Sequence, residues 1–169
     1  MGIRGGGIVP WAMRSLLLLG LIALAGCQAL RAEAPDVRRR VEARFADAVA
    51  AAQAPATDAR SFAGLTAWRD ATGGWRATPR PDARAEDEAA RDARAEALLS
   101  TLRSVLRETR QPDGRVVYSA EAYVTDAAEG VRWHVLRVAF DAGGEGRVRE
   151  VEAGFVATAQ GFALGRVER

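Results

Sequence analysis

The 169 residues contain no lysine, a single cysteine and a single histidine, and no acidic residue precedes Glu33. Each absence removes a class of chemistry. One cysteine cannot close a disulfide within the chain, so stability has to come from packing even in an oxidising compartment. One histidine, His134, excludes a zinc site built on several imidazoles; a site would have to be rich in carboxylates, which is uncommon, and no metal or cofactor is expected. The acid-free beginning also decides how the charge is read. The chain has 24 basic against 22 acidic residues, yet two of the basic ones, Arg4 and Arg14, precede Cys27, and the chain from there on is formally neutral. Its signs are mixed, whereas recognition of a polyanion needs a patch of one sign. The run Arg38–Arg39–Arg40 spreads over nearly a full helical turn and reads as a solvated face. Nucleic acid is therefore not an expected partner. An all-arginine basic set follows from codon bias in a GC-rich genome, without selection for guanidinium chemistry. With 49% hydrophobic and 27% charged residues, the composition is that of a globular domain.

The beginning of the chain has the three parts of an export signal. Arg14 precedes an uncharged apolar run from Ser15 to Gly26, and small residues lead to Cys27. The uncharged stretch is shorter than the ~20 residues needed to cross a bilayer. Leu24–Ala25–Gly26–Cys27 resembles the lipobox of bacterial lipoproteins: Leu, a small residue, Gly or Ala, then an obligatory Cys. The resemblance implies that residues 1–26 are removed as a signal peptide and that Cys27 receives a diacylglyceryl group on its sulfur and an acyl chain on its freed amine. Two or more acyl chains hold a protein stably to a membrane at ~0.8 kcal/mol per buried methylene. Residues 27–34 are then a lipid-anchored tether. Gln28 stands where Asp commonly favours inner-membrane retention, so the resemblance implies an outer-membrane anchor facing the periplasm. Met13–Arg14–Ser15 would itself begin a compact signal, and Met13 is an expected start of translation.

Residues 35–169 read as a single α+β domain. Val37, Val41, Phe45, Ala48, Val49 and Ala52 recur at helical spacing and predict a helix over about 36–53, ended by Pro55. Thr57 or Asp58 caps a second, shorter helix bearing Phe62, Leu65 and Trp68, broken at Gly73–Gly74. Residues 75–82, with Pro79 and Pro81, read as an irregular crossing. A third helix starts near Asp82, with acids in its first turn and Arg103, Arg107 and Arg110 favouring its end through the macrodipole. Its later half carries Leu98, Leu99, Leu102, Val105 and Leu106 on one stripe, while its earlier half is mostly alanine and charge. After Gln111–Pro112–Asp113–Gly114 the period changes from 3.6 to 2. Strands are expected over about 115–125, 131–141, 147–157 and 161–168, joined as an antiparallel meander. Alternation turns Tyr118, Ala120, Ala122, Val124, Leu136, Val138, Phe140, Val151, Ala153, Phe155 and Ala157 inward. The plan is two-layer, with N-terminal helices on one face of a four-strand sheet and water on the other. It is similar in layout alone to small lipoproteins that assist outer-membrane assembly.

Few residues offer chemistry. His134 shares strand parity with Leu136, Val138 and Phe140 and reads first as a packed histidine, with general-base or pH-sensing duty as the alternative. Ser119 and Asp141 do not complete a triad with it, and no Gly-x-Ser-x-Gly elbow exists. Glu150 and Glu152 project from one face about 6.6 Å apart, a separation used in inverting glycoside hydrolysis but also common on solvated sheet faces. The Gly143–Gly146 run reads as a hairpin turn. Trp68, Trp75 and Trp133 are the candidate binding residues, because aromatic rings anchor sugars, lipids and proteins. Trp133 lies on the face opposite Leu136 and is either covered by the 56–82 segment or left as an apolar patch. The expected function is a non-enzymatic interaction module, held to the membrane through Cys27 and meeting an envelope protein partner. The alternative is a carrier with an apolar cleft lined by Phe140, Phe155 and Leu102. An enzyme of unassigned activity comes third.

Overall fold

The computed structural model describes residues 35–70, 72–77, 85–128, 130–143 and 147–169. The expected export signal, Met13, Cys27, the expected tether and the expected cap at Asp82 lie outside them. The compact unit that carries the fold spans Arg38–Arg169.

Residues 35–53 are helical (α1), and Val41, Phe45, Ala48, Val49 and Ala52 form its buried stripe, as the 3.6-residue period requires. Asp58 caps the short helix α2, Ala59–Phe62, by accepting the Ser61 N–H at 2.8 Å. A 3-10 turn, Ala63–Leu65, comes next. The helix expected to run on to Trp68 stops there because a sheet edge takes over. Thr66 bridges Leu164 in parallel, and the Ala67 N–H donates to the Leu164 carbonyl at 2.8 Å. The chain then forms a miniature hairpin of Trp68–Arg69 (β1) against Trp75–Arg76 (β2). The stretch read as an irregular crossing therefore opens as a strand. Helix α3, Ala85–Glu108, buries Ala95, Leu98, Leu99, Leu102, Val105 and Leu106; Ala89, Ala90 and Ala93 of its earlier half are exposed.

Four antiparallel strands succeed it in sequence order: β3 (Tyr118–Ala128), β4 (Val131–Asp141), β5 (Val148–Thr158) and β6 (Gly161–Glu168). The protein is α+β, with N-terminal helices and a four-strand meander accompanied by the two-strand hairpin. Gly130, at φ +74°, turns the chain between β3 and β4 in a conformation that other residues rarely adopt. On one face Leu136, Val138, Phe140, Val151, Ala153, Phe155 and Leu164 are buried. Phe45 of α1 meets this face edge-on, with ring centroids 5.6 Å from Tyr118 and 6.2 Å from Phe140.

Two irregularities alter the alternation. Ala120 pairs with Val138 but Ala122 pairs with Arg137, so one extra residue enters β3. A one-residue slip exchanges the faces. Tyr123, half-buried opposite Leu136, takes the inward place expected of Ala122; Thr125 lies opposite His134 but is exposed, and Val124 is left 45% exposed. Ala157 is also exposed, at the outer end of its strand. The second irregularity lies between Gly154–Arg166 and Phe155–Leu164 and leaves Gly165 as the extra residue of β6.

The sheet's second face is not wholly given to water. Trp133, Val135, Val156 and Ala163 form a second buried cluster there with Ala67, and Trp75, Ala77, Ala128 and Val131 pack around it. The hairpin thus straps the sheet from the β6 edge. Its closeness is set by Gly165, where an added Cβ would lie 2.6 Å from Trp133 Cζ3 and 3.4 Å from Trp75 Cζ3. Gly165→Ala is expected to lower unfolding stability by about 1–3 kcal/mol through overpacking. Gly64→Ala, where nothing lies within 4 Å of the new Cβ, should leave it unchanged or slightly raised. Urea denaturation of both variants checks the pair; equal losses would show that the Trp133 contact does not limit the site.

Candidate functional site

Of the three tryptophans nominated from the sequence, Trp75 and Trp133 are brought together, while Trp68 is buried separately; all three serve packing. Trp133 is 1% and Trp68 2% exposed, and Trp75 is half-buried. Trp75 stands edge-to-face on Trp133, centroids 4.8 Å apart at 84°. The Arg166 guanidinium lies 4.9 Å above the Trp133 ring, and Arg69 5.4 Å above Trp75. All three indole N–H groups are buried without a hydrogen-bond acceptor. Each costs about 1–3 kcal/mol, whereas burial of an indole contributes about 4–6 kcal/mol at ~25 cal/mol per Å². Apolar burial wins, which accounts for the cluster as a core.

One carboxylate orders the strap. Asp70 Oδ1 accepts from the Thr72 N–H at 3.0 Å, the Thr72 hydroxyl at 2.6 Å and the Gly74 N–H at 3.0 Å, while Oδ2 accepts from Arg76 Nε at 2.8 Å. Its side chain is 7% exposed. The Thr72 hydroxyl and the Arg76 guanidinium hold its pKa far below the usual carboxylate range. Sequence reasoning missed Asp70, although Asp-x-Thr-Gly-Gly is itself a turn signal.

His134 is 9% exposed on the helix-covered face. Its Nδ1 lies 2.7 Å from the Tyr123 hydroxyl, and the Phe162 ring stands edge-on at 4.9 Å. Burial, then the positive charge of Arg132, push its pKa below 6.5. Asp141 is elsewhere, accepting from the Gly143 N–H at 2.9 Å. Glu152 accepts from Arg137 Nε at 2.7 Å across the β4–β5 pair. Glu150 shares a shallow pocket of about 400 Å³ with Arg137, Glu152, Glu168 and Arg169. That mixture of three acids with two arginines is a solvated charge lattice, without the isolated acid and base that glycoside hydrolysis needs.

A feature the sequence did not single out lies between the end of α1 and the later half of α3. There a groove of about 660 Å³ is bounded by Ala52, Pro55, Leu106 and Val116 on its apolar side and by Glu96, Arg103, Arg107 and Arg110 on its charged side. The four-residue spacing sets Arg103 and Arg107 one turn apart on α3, and Arg110 follows just past its end. Arg103 is fixed: Nε donates to the Ala52 carbonyl at 3.3 Å, and Nη2 to those of Ala54 at 3.3 Å and Thr57 at 2.7 Å. It thereby ties α3 to carbonyls at and just beyond the α1 C-terminus. Arg110 donates through Nε to the Gly114 carbonyl at 3.1 Å. Arg107 is exposed and makes no hydrogen bond or ion pair among the described residues. The i, i+4, i+7 spacing is legible in the sequence; that α1 ends opposite it is not.

The expected cleft does not coincide with this groove. Phe140, Phe155 and Leu102 are fully buried and do not line it, and Phe45 and Tyr118 pack against Phe140.

Asp70 and His134 each make stability depend on pH. Because Asp70 is depressed in the fold, its stabilisation is complete above its unfolded value of 3.8 and is lost as pH falls through and below that value. Asp70→Asn should lower the thermal midpoint by several degrees at neutral pH and flatten the decline below pH 3.8. His134 is also depressed, so it favours folding above pH 6.5 and loses that contribution as pH falls towards its folded value. An NMR titration should give an imidazole midpoint below 6.5, and His134→Gln should remove this part of the acid-side loss; a midpoint at or above 6.5 contradicts control by burial. No protein-family model, curated protein or solved structure matches the chain, so its activity has to be read from its own residues.

Proposed function

We propose that the mature chain is a lipid-anchored cell-envelope protein acting as a non-enzymatic interaction module. Cys27, within Leu24–Ala25–Gly26–Cys27, is the anchor, and the domain faces the periplasm from the outer membrane. The observation that carries the module over the carrier is the interior. The residues that would line an apolar cleft, Phe140, Phe155 and Leu102, are fully buried, as is Trp68, and Trp75 and Trp133 are consumed by the packing of the strap on the sheet. The larger open feature is on the surface, where Arg107 is left without a partner among the described residues. An anchor confines such a surface to one membrane, which raises its effective concentration towards partners held on the same membrane.

Two measurements test this. Intact-mass spectrometry of the membrane fraction should find a chain beginning at Cys27 and carrying acyl groups; an unmodified chain starting elsewhere removes the anchor. Pull-down from detergent-solubilised envelopes should recover a stoichiometric protein partner. Loss of that partner in Arg107→Ala would place the contact at the groove, while recovery of none, with an extracted apolar ligand instead, would favour the carrier.

A further inference from the structure

We propose that the groove between α1 and α3 binds an extended, acidic and apolar segment of a protein partner. The proposal rests on the interaction-module reading and assigns its contact surface. Three properties point to this occupant. The charge is graded along the groove: Glu96 stands at the middle of α3, Arg103 and Arg107 follow in its last turns, and Arg110 lies just past its end. From Glu96 to Arg107 the helix rises about 16 Å at ~1.5 Å per residue, the reach of about five residues of extended chain. Ala52, Pro55 and Val116, with Leu106 of α3, offer apolar lining to apolar side chains.

Charge complementarity separates a peptide from other anions. A carboxylate accepts two parallel hydrogen bonds from a guanidinium fork, and a fixed fork loses less freedom on binding than a mobile one. Arg103, held by three carbonyls through Nε and Nη2, offers Nη1 as a fixed single donor; Arg107, without a partner among the described residues, supplies the open fork, and Arg110 a further charge beside it. A lipid or nucleic-acid surface would bring negative charge to the whole groove, and Glu96 opposes it at one end. A segment with acids at one end and a neutral or basic residue at the other meets the gradient throughout. Apolar side chains between them cover Leu106 and Val116, excluding water from the ion pairs and strengthening them.

The test uses the full chain purified in a non-ionic detergent and two fluorescent eight-residue peptides, one alternating Glu with Leu and the other Lys with Leu. Anisotropy should show the Glu peptide bound, more weakly at high salt, and the Lys peptide not bound. Arg107→Ala with Arg110→Ala should weaken the Glu peptide at least about tenfold. Both side chains are exposed, so an unchanged thermal midpoint is the accompanying check on folding. Glu96→Gln should bind the Glu peptide as well as the parent chain or better. Equal binding of both peptides, or a double variant that binds like the parent, overturns the proposal. So does capture of the parent chain, but not the double variant, by phosphatidylglycerol vesicles when neither peptide binds. If the double variant still recovers a stoichiometric partner from solubilised envelopes, the groove assignment fails while the interaction module stands.

Discussion

The contact on which the second layer of this protein depends is that of the Trp133 indole with a residue that has no side chain. Gly165 is the extra residue of β6, and any Cβ there would overlap the Trp133 ring. Because the ring can lie against the backbone, Trp75 can stand on it edge-to-face and Arg166 can cover it. Arg166 in turn crosses Gly154, where an added Cβ would lie 2.6 Å from its Cγ. Two glycines on neighbouring strands thus create the depression that an aromatic ring and a guanidinium fill. The same contact gives the hairpin a place to dock, and Asp70 gives the hairpin its shape.

This arrangement also manages the edge of the sheet. An uncovered edge strand presents unpaired backbone groups to other chains. At β6, Thr66 and Ala67 pair with Leu164, and Arg94 donates to the Gly165 carbonyl. The β3 edge is treated differently: its extra residue breaks the regular ladder, and Arg38 Nη2 takes up the Ala120 carbonyl at 3.1 Å. Arginine recurs in this duty. Arg44 binds the carbonyls of Phe162 and Gly64 at 2.9 Å each, and Arg103 closes the end of α1. A long side chain with several donors can satisfy carbonyls that belong to different elements, so much of the basic set is used inside the fold. Arg107, which lines the groove, makes no such contact among the described residues, and this is why the contact surface is proposed at the groove rather than read from the overall charge.

Legibility varied with the range of the interaction that decides each feature. The stripe of α1, the bounds of β4 and β6 and the antiparallel meander rest on local period and turn chemistry, and they appear where the sequence puts them. Trp68 does not remain helical because a hydrogen bond to Leu164, far along the chain, replaces the next helical turn. Alternation likewise turned Val124 inward, since period 2 carries no mark of an added residue at Glu121. For the nominated binding residues the sequence offered two placements of Trp133, covered or exposed, and only the strap distinguishes them. The groove was half legible: three arginines at the i, i+4, i+7 spacing are visible in the sequence, whereas the apolar wall comes from α1 and Val116.

The sequence by itself therefore determined the match of Leu24–Cys27 to a lipobox, the formal neutrality of the chain beyond it, the absence of an internal disulfide and the order of helices and strands. These depend on residue identity and on neighbours within a few positions. The tertiary structure alone decided which face each residue occupies after a bulge, whether the tryptophans are surface or core, and which arginines are taken up by backbone carbonyls. Those outcomes depend on contacts between distant segments, where one missing Cβ or one added residue changes what can approach.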